Sequence, residues 1–359
     1  MGYLHILLVL TCILSSAFAD PVSNDFIENI NKQNLTWRAR KYSDTSSRRL
    51  SISRTSLGLS PTDEKDSLNI VAYQIADGDI PESFDAREKW SNCSSLKEIR
   101  DQANCGSCWA FAATEAMTDR ICIHSNGIKQ ISVSAQDLLS CCTNCGYGCN
   151  GGYPANAWSY WHKTGIVSGG LYNSSNGCRS YSLAPCDHHV SGSLTNCSAV
   201  IEAETPQCVK TCDNGTHLNY TTELTFGEVP YVLENVTSSI QWEILTNGPV
   251  EAEFDVYEDF LVYSEGVYKK TENVSKVGAH DVKIIGWGVD GGIPYWLIAN
   301  SWNAEWGENG YFRMLRGENH CGIESYVVVA VPNLGSDSNI PKFEIGMLLF
   351  SWILYMYCR

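Results

Sequence analysis

Sixteen cysteines constrain this 359-residue chain more than any other feature. Fourteen of them lie between Cys93 and Cys321, while Cys12 falls in the first segment and Cys358 near the end. In a secreted protein this density indicates a disulfide framework, and therefore an oxidising compartment. The cluster CCTNCGYGC (141–149) also resembles a zinc knuckle, but zinc would compete with thiol oxidation there. We therefore expect neither a metal nor a cofactor.

The first segment indicates the compartment directly. YLHILLVLTCILSSAFA (3–19) is an apolar run that ends in an A-x-A cleavage pattern, so residues 1–19 are predicted to be a signal peptide. A retained membrane helix is the alternative, although the run is short and its last residues are small. Eight N-x-[ST] sequons also fit a secretory route, which ends in a lysosome or outside the cell: Asn34, Asn92, Asn173, Asn196, Asn214, Asn219, Asn235 and Asn273.

Composition divides the rest of the chain into three parts. Residues 20–79 are polar and lack cysteine, with helical spacing in NDFIENINKQNLTW, which predicts a removable propeptide or else a flexible linker. Residues 80–335 form a body that is rich in cysteine, tryptophan and glycine. The apolar tail at 336–359 is too short to span a bilayer, and small residues before it outline a lipid-anchor signal. For this tail, packing or an unstructured extension is favoured over membrane contact.

Within the body, helical signals come early and strand signals late. CWAFAATEAMTDRICIHS predicts a helix with Asp119 and Arg120 on its outer side, and SIQWEILTNG predicts another that Gly248 stops. Five later segments alternate or are β-branched and are predicted strands: VEAEFDVY, HDVKIIGWG, PYWLIANSW, GYFRMLR and SYVVVAV. This order predicts an α+β fold with two dissimilar lobes. The net charge of −15 argues against a nucleic-acid partner.

The stretch DQANCGSCWAF (101–111) contains a C-x-x-C motif with three possible meanings: a redox pair, half of a zinc site, or a nucleophile beside a structural cysteine. No βαβ pattern precedes Cys105, which argues against an oxidoreductase. Cys108 stands where the helix from Trp109 is predicted to begin, and a helix N-terminus favours a thiolate. Among eight histidines, His280 is weakly favoured as the base because it opens a strand-like run that leads to Asn300.

Four motifs in order resemble the papain-like cysteine proteases: QANCGSCWAF, CNGGYP, GAHDVKIIGWG and NSWNAEWGENGYF. DIPESFDAREKW, DRICIH, PCDHHVSG and HCGIES are similar to the cathepsin B group of that family. The likeness covers residues 80–332, and NINKQNLTW resembles the propeptide of the group. It implies a two-lobed fold, with a helical left lobe, a β-barrel-like right lobe and the active-site cleft between them.

The resemblance also implies roles for single residues. Cys108 would be the nucleophile, His280 its ion-pair partner and later general acid, and Asn300 the group that orients the imidazole. Gln102 would donate to the oxyanion with the Cys108 N–H. The substrate-binding residues implied are Gly151 and Gly152 on the non-prime side, Trp302 over the imidazole, Tyr326, and His188 with His189 in an occluding loop near residues 186–197.

That histidine pair would bind a substrate's C-terminal carboxylate and release dipeptides in acid. The function implied is a protease made as a zymogen, with endopeptidase and dipeptide-releasing activity. Its implied partners are peptide and protein substrates, its own propeptide and cystatin-like inhibitors, and we expect a monomer. The alternative is a catalytically silent homologue that serves as a disulfide-rich binding scaffold.

By the same resemblance, twelve cysteines pair and leave Cys108 and Cys321 as thiols. The implied pairs are Cys93–Cys122, Cys105–Cys149, Cys141–Cys208, Cys142–Cys145, Cys178–Cys212 and Cys186–Cys197.

Three positions depart from the pattern of the group. Tyr326 replaces an acidic residue at the floor of the pocket for the second residue before the scissile bond (P2), which predicts apolar or aromatic P2 side chains. Leu194 replaces an arginine that would pair with Glu305 and latch the occluding loop, which predicts a loop that is easier to displace. Asp281 replaces a small apolar residue, and strand alternation predicts that it points away from the cleft, solvated or salt-bridged. The alternative is a side chain that points inward and stabilises the imidazolium.

Overall fold

The computed structural model describes residues 23–40 and 68–335. The predicted signal peptide, the apolar tail and residues 41–67 of the predicted propeptide lie outside these described residues. Within them, the α-helices are α1 (Asn24–Lys32), α2 (Ala86–Lys89), α3 (Cys108–His124), α4 (Ala135–Cys141), α5 (Pro154–Lys163) and α6 (Thr237–Asn247). No helix in these ranges combines the length and the apolar composition that a membrane crossing requires.

The described strands are short except in the second half of the body. They are β1 (Trp37–Ala39), β2 (Asn69–Val71), β3 (Phe84–Asp85), β4 (Ile166–Val167), β5 (Leu224–Gly227), β6 (Tyr231–Leu233), β7 (Val250–Tyr257), β8 (Tyr263–Tyr268), β9 (Lys276–Asp290), β10 (Ile293–Ala299), β11 (Tyr311–Leu315), β12 (Val327–Val329) and β13 (Pro332–Asn333). Each of the five segments predicted to be strands contributes one, from β7 to β12. The predicted helix before Gly248 is α6, and Gly248 caps it with a φ of 102°.

Ten strands form one mixed sheet in the order β1-β8-β11-β10-β9-β7-β12-β6-β2, with β3 on β9. Buried apolar side chains of this sheet make one core, while α3, α4 and α5 surround a second core around Trp109, Leu138 and Trp158. Helix α3 packs directly on β9 and so joins the two cores. The predicted α+β, two-lobed fold is confirmed.

The prediction that Asp119 and Arg120 lie on the outer side of α3 is wrong. Both are fully buried: Arg120 Nη2 lies 2.8 Å from Glu243 Oε1, and Asp119 Oδ2 lies 2.7 Å from Lys283 Nζ. Because α3 lies between the lobes, its polar side chains meet partners from the sheet lobe instead of water. Buried charges persist only when they are paired in this way.

Six disulfide bonds link the cysteines that the resemblance pairs: Cys93–Cys122, Cys105–Cys149, Cys141–Cys208, Cys142–Cys145, Cys178–Cys212 and Cys186–Cys197. Among the described residues, Cys108 and Cys321 are the cysteines that are not in disulfide bonds.

The N-terminal segment (residues 23–40) packs against the sheet lobe. Helix α1 buries Ile27 and Ile30, and β1 pairs antiparallel with β8 so that Trp37 lies opposite Gly266. Further along the chain, β2 runs parallel to β6. Both contacts are formed by chain that precedes the predicted catalytic body.

Candidate active site

The loop before α3 is fixed by covalent and backbone contacts. The Cys105–Cys149 disulfide ties it to the loop of Gly151, and the Gly106 N–H donates to the Cys149 carbonyl at 2.7 Å. Helix α3 then begins at Cys108, one residue earlier than predicted, and the thiol is fully buried. The Cys108 side chain therefore stands at the positive end of a 17-residue helix dipole, which favours a thiolate.

Gln102 is held from several directions. Its Nε2 donates to the Cys105 carbonyl at 2.8 Å, and its Oε1 accepts from Ser301 Oγ at 2.7 Å. Its backbone carbonyl accepts from the Tyr181 hydroxyl at 2.8 Å. The residue sits between the loop of Cys105 and the strand end that carries Asn300. Sequence reasoning missed both Ser301 and Tyr181, and no pattern around them marks this role.

Asn300 orients the imidazole of His280. The amide Oδ1 lies 2.8 Å from His280 Nε2, so Nε2 carries a hydrogen and donates it. This assigns the tautomer in which Nδ1 is left to exchange a proton with a thiol. The Trp302 ring lies 4.8 Å from the imidazole centroid at 30°, and it shields this hydrogen bond from water.

Burial lowers the pKa of His280 to about 4, the hydrogen bond to Asn300 opposes that shift, and the neighbouring charge of His188 adds to it. The imidazole is therefore neutral at mildly acidic pH while the site is enclosed. A thiolate–imidazolium pair requires the protonated form, which this burial disfavours.

Two further histidines, His188 and His189, contact Trp302. His188 Nε2 lies 2.9 Å from Asp101 Oδ1, and its ring stacks on Trp302 at 6.0 Å and 9°. The His189 ring meets the same indole edge-on at 5.1 Å. Three histidines thus surround one tryptophan, and two of them come from the loop near 186–197.

A comparison with known proteins decides the family. Residues 80–331 match the papain family cysteine protease model. The chain belongs to the papain family of cysteine proteases. Two Caenorhabditis elegans relatives are similar along most of its length. Cathepsin B-like cysteine proteinase 4 is 52% identical over 74% of this chain and 80% of its own. Cathepsin B-like cysteine proteinase 6 is 46% identical over 90% of this chain and 86% of its own.

Solved structures agree with this assignment. ProCathepsin B S9 from Trypanosoma congolense matches with a TM-score of 0.74 and 33% identity, over 88% of this chain and all of that one. The proform of the ragweed pollen protease Amb a 11 matches with a TM-score of 0.61 over 86% of this chain and 84% of its own. At 23% identity the latter shows the fold alone.

In this papain-family chain, Asp281 is buried near Cys108 and is not solvated as predicted. Its side chain is 3% exposed, and Oδ2 lies 4.0 Å from Cys108 Sγ. The prediction of a side chain that points away from the cleft is therefore wrong. Alternation does turn Asp281 to the opposite face from His280, but α3 packs on β9, so that face is covered instead of open to solvent.

The two glycines of CNGGYP have conformational and packing reasons for lacking a side chain. Gly151 has a φ of 103°, which L-residues rarely adopt. A Cβ on Gly152 would approach the Trp109 ring to 2.5 Å and the Cys145 carbonyl oxygen to 2.6 Å. These constraints stand beside the predicted role in substrate binding, which remains a prediction.

The loop near 186–197 is closed by its own disulfide and by one carboxylate. Asp187 Oδ2 accepts from the N–H groups of Gly192 and Leu194 at 2.8 and 3.1 Å. The predicted gap in the latch at Leu194 is bridged by Ser193, whose Oγ donates to Glu305 Oε1 at 3.4 Å. Cys186, His188 and Cys197 cluster as metal ligands would, but the Cys186–Cys197 bond occupies both sulfurs.

Tyr326 is buried at the edge of β12, and its carbonyl accepts from the Glu253 N–H at 3.3 Å. Glu253 in turn lies directly opposite Asp281 in the β7–β9 pair. Sequence reasoning missed Glu253. The signal was its spacing of two residues from Glu251 in VEAEFDVY, which places both side chains on the same face of the strand. In the structure α3 covers this face.

Proposed function

We propose that this protein is a zymogen of a cysteine protease that cleaves internal peptide bonds and also releases C-terminal dipeptides. The observation that carries the proposal is the array of His280, Asn300 and Trp302, together with a buried cysteine outside the disulfides, Cys108, at the first residue of α3. Membership of the papain family supports the reaction class.

In the proposed reaction Cys108 gives its proton to Nδ1 of His280, because Nε2 is committed to Asn300. The thiolate sulfur then bonds to the substrate carbonyl carbon, and the oxyanion accepts from the Cys108 N–H and the Gln102 amide. The imidazolium protonates the leaving nitrogen as the C–N bond breaks, which leaves a thioester. Water, deprotonated by His280, attacks that thioester and restores the thiol.

Release of dipeptides is assigned to the loop near 186–197. His188 is fixed by Asp101 and Trp302, so His188 and His189 stand as a pair at one end of the cleft. Burial, together with the charges of His188 and His280, lowers the pKa of His189 to about 3. A bound carboxylate would favour the protonated form, so the dipeptide-releasing activity is expected in acid.

Residues 20–79 are proposed as the propeptide that keeps the enzyme latent. The packing of α1 and β1 on the sheet lobe supports this proposal. The similarity to proCathepsin B S9, which is a proform, supports it as well. The apolar first segment and the six disulfides support passage through the secretory pathway to a lysosome or the outside of the cell. Peptides, proteins and cystatin-like inhibitors would enter the same cleft.

The test is acid activation followed by labelling with a thiol-directed epoxide and mapping of peptide cleavage. We expect one label on Cys108, hydrolysis of peptides with blocked C-termini, and dipeptide release only from peptides with a free C-terminus. The Cys108→Ala variant is the control for labelling. A folded protein with no label and no turnover would favour the binding scaffold instead.

A further inference from the structure

Acidic side chains continue from the interface between the lobes to the nucleophile. Strand alternation places Glu251, Glu253, Asp281 and Lys283 on the face of β7 and β9 that α3 covers. Lys283 Nζ lies 2.7 Å from Asp119 and 3.7 Å from Glu115, so its charge is shared between two carboxylates of α3. Nearer the cleft, the same face carries Asp281 and Glu253.

Glu253 and Asp281 form a directly opposed cross-strand pair of like charge. Such pairs are destabilising in a sheet, because their Cβ atoms are only about 4.5–5.5 Å apart. Their field extends to Glu251: burial raises the pKa of Glu251 well above its usual range, and the charges of Asp281 and Glu253 raise it further. A cation placed beside the pair would relieve this repulsion.

The pair is within reach of a substrate. Asp281 and Cys108 are enclosed to the same degree, 3% and 0% exposed. Because the thiol must contact the scissile carbonyl, any opening that admits a substrate to Cys108 also reaches the carboxylate 4.0 Å from its sulfur. Glu253 is partly exposed, so it stands at the outer end of the pair.

The contact with Tyr326 locates the pair relative to the substrate. The Glu253 N–H donates to the Tyr326 carbonyl at 3.3 Å, so the acidic pair borders the residue assigned by resemblance to the floor of the P2 pocket. We infer that Asp281 and Glu253 form an acidic wall of that pocket and select peptides with a cationic side chain at P2. The inference rests on the proposed protease function, and it replaces the apolar preference expected from Tyr326.

The test compares peptides that differ only at P2 and carry arginine, its uncharged isostere citrulline, or leucine. For the acid-activated full-length enzyme we expect kcat/KM to be about tenfold higher for arginine than for citrulline, which corresponds to about 1.4 kcal/mol. A ratio near one, or a cationic preference confined to the residue next to the scissile bond, would overturn the inference.

Two variants assign the effect to the pair. Glu253→Gln and the double change of Glu253→Gln with Asp281→Asn should lower the ratio stepwise towards one while the leucine peptide is still hydrolysed. Asp255→Asn is the matched control, since Asp255 lies two residues along β7 and pairs with Lys276 at 2.5 Å. The wild-type ratio needs no variant, so a misfolded double variant leaves the test intact. Loss of all hydrolysis in the wild type would instead count against the proposed function.

Discussion

At the scale of single residues, the orientation of the His280 imidazole depends on one amide, that of Asn300. Asn300 Oδ1 accepts from His280 Nε2 and from the Ser301 N–H, both at 2.8 Å, so its own orientation is fixed by the following backbone. Stacking on Trp302 supports the ring from one face. The hydrogen bond selects the tautomer, and the stacking limits rotation of the ring.

Replacing Asn300 with alanine should therefore lower kcat far more than it raises KM, because the imidazole loses its fixed tautomer and position. A displacement on the order of 1 Å can cost about 10²-fold in rate, and we expect a loss of that size in kcat/KM. Asn300→Asp keeps an oxygen at the same place and should retain more activity. Steady-state kinetics with one blocked peptide checks this, and equal rates for Asn300→Ala and the wild type would contradict it.

The site also shows where reasoning from sequence succeeds and fails at this scale. The family resemblance implied a contact between His280 and Asn300, and the two side chains are hydrogen-bonded at 2.8 Å; Asp281 was assigned the correct alternation. The error was to assume that the face opposite His280 meets solvent. Whether a strand face is covered depends on a helix more than 150 residues earlier, here α3 on β9, and local periodicity carries no information about that contact.

At the scale of elements, the loop near 186–197 is fixed more firmly at one end than at the other. His188 is held by Asp101 and Trp302, whereas on the Leu194 side Ser193 makes a 3.4 Å hydrogen bond to Glu305. Leu194 itself is 39% exposed. Displacement of the loop should therefore begin at the Ser193–Leu194 end, which would open the cleft to longer substrates.

The variant Leu194→Arg should pair with Glu305 and hold that end of the loop. Exposed ion pairs contribute about 0–1 kcal/mol, so the ratio of dipeptide release to endopeptidase activity should rise by up to about fivefold. Leu194→Gln is the size-matched control without charge and should leave the ratio unchanged. Cleavage of paired peptides with free and amidated C-termini at low salt measures it, and identical ratios for all three proteins would refute the idea.

At the scale of the whole molecule, the order of helices and strands was predictable because periodicity and turn residues are local. The burial of Asp119 and Arg120 was not, since it arises from α3 lying between the lobes. Nor did composition reveal that residues 37–39 extend the sheet of the body through β8. Both features are contacts between segments that are distant in sequence, and local sequence patterns do not predict such contacts.

The contact of β1 with the body gives the last prediction. Trp37 is 2% exposed, packs on Tyr268 and Tyr263 at 5.2 and 6.2 Å, and donates from Nε1 to the Lys269 carbonyl at 2.9 Å. Truncating a buried tryptophan to alanine costs about 3–5 kcal/mol, so Trp37→Ala should weaken the docking of the proposed propeptide. We expect the uncleaved variant to react with a thiol-directed probe at neutral pH, a condition under which the uncleaved wild type should not react.

Arg38→Ala is the control for this change, because Arg38 lies on the same strand with an exposed side chain whose hydrogen bond stays within the segment, to the Asn31 carbonyl. Adding Cys108→Ala to the Trp37→Ala variant should abolish the label if the label is on Cys108. The same double variant cannot cleave itself, so its unfolding temperature can be compared with that of the Cys108→Ala parent. Suppose the Trp37→Ala chain unfolds at the same temperature as its parent and still resists the probe. Docking through β1 would then not maintain latency, and the inhibitory contact would have to come from another part of residues 20–79.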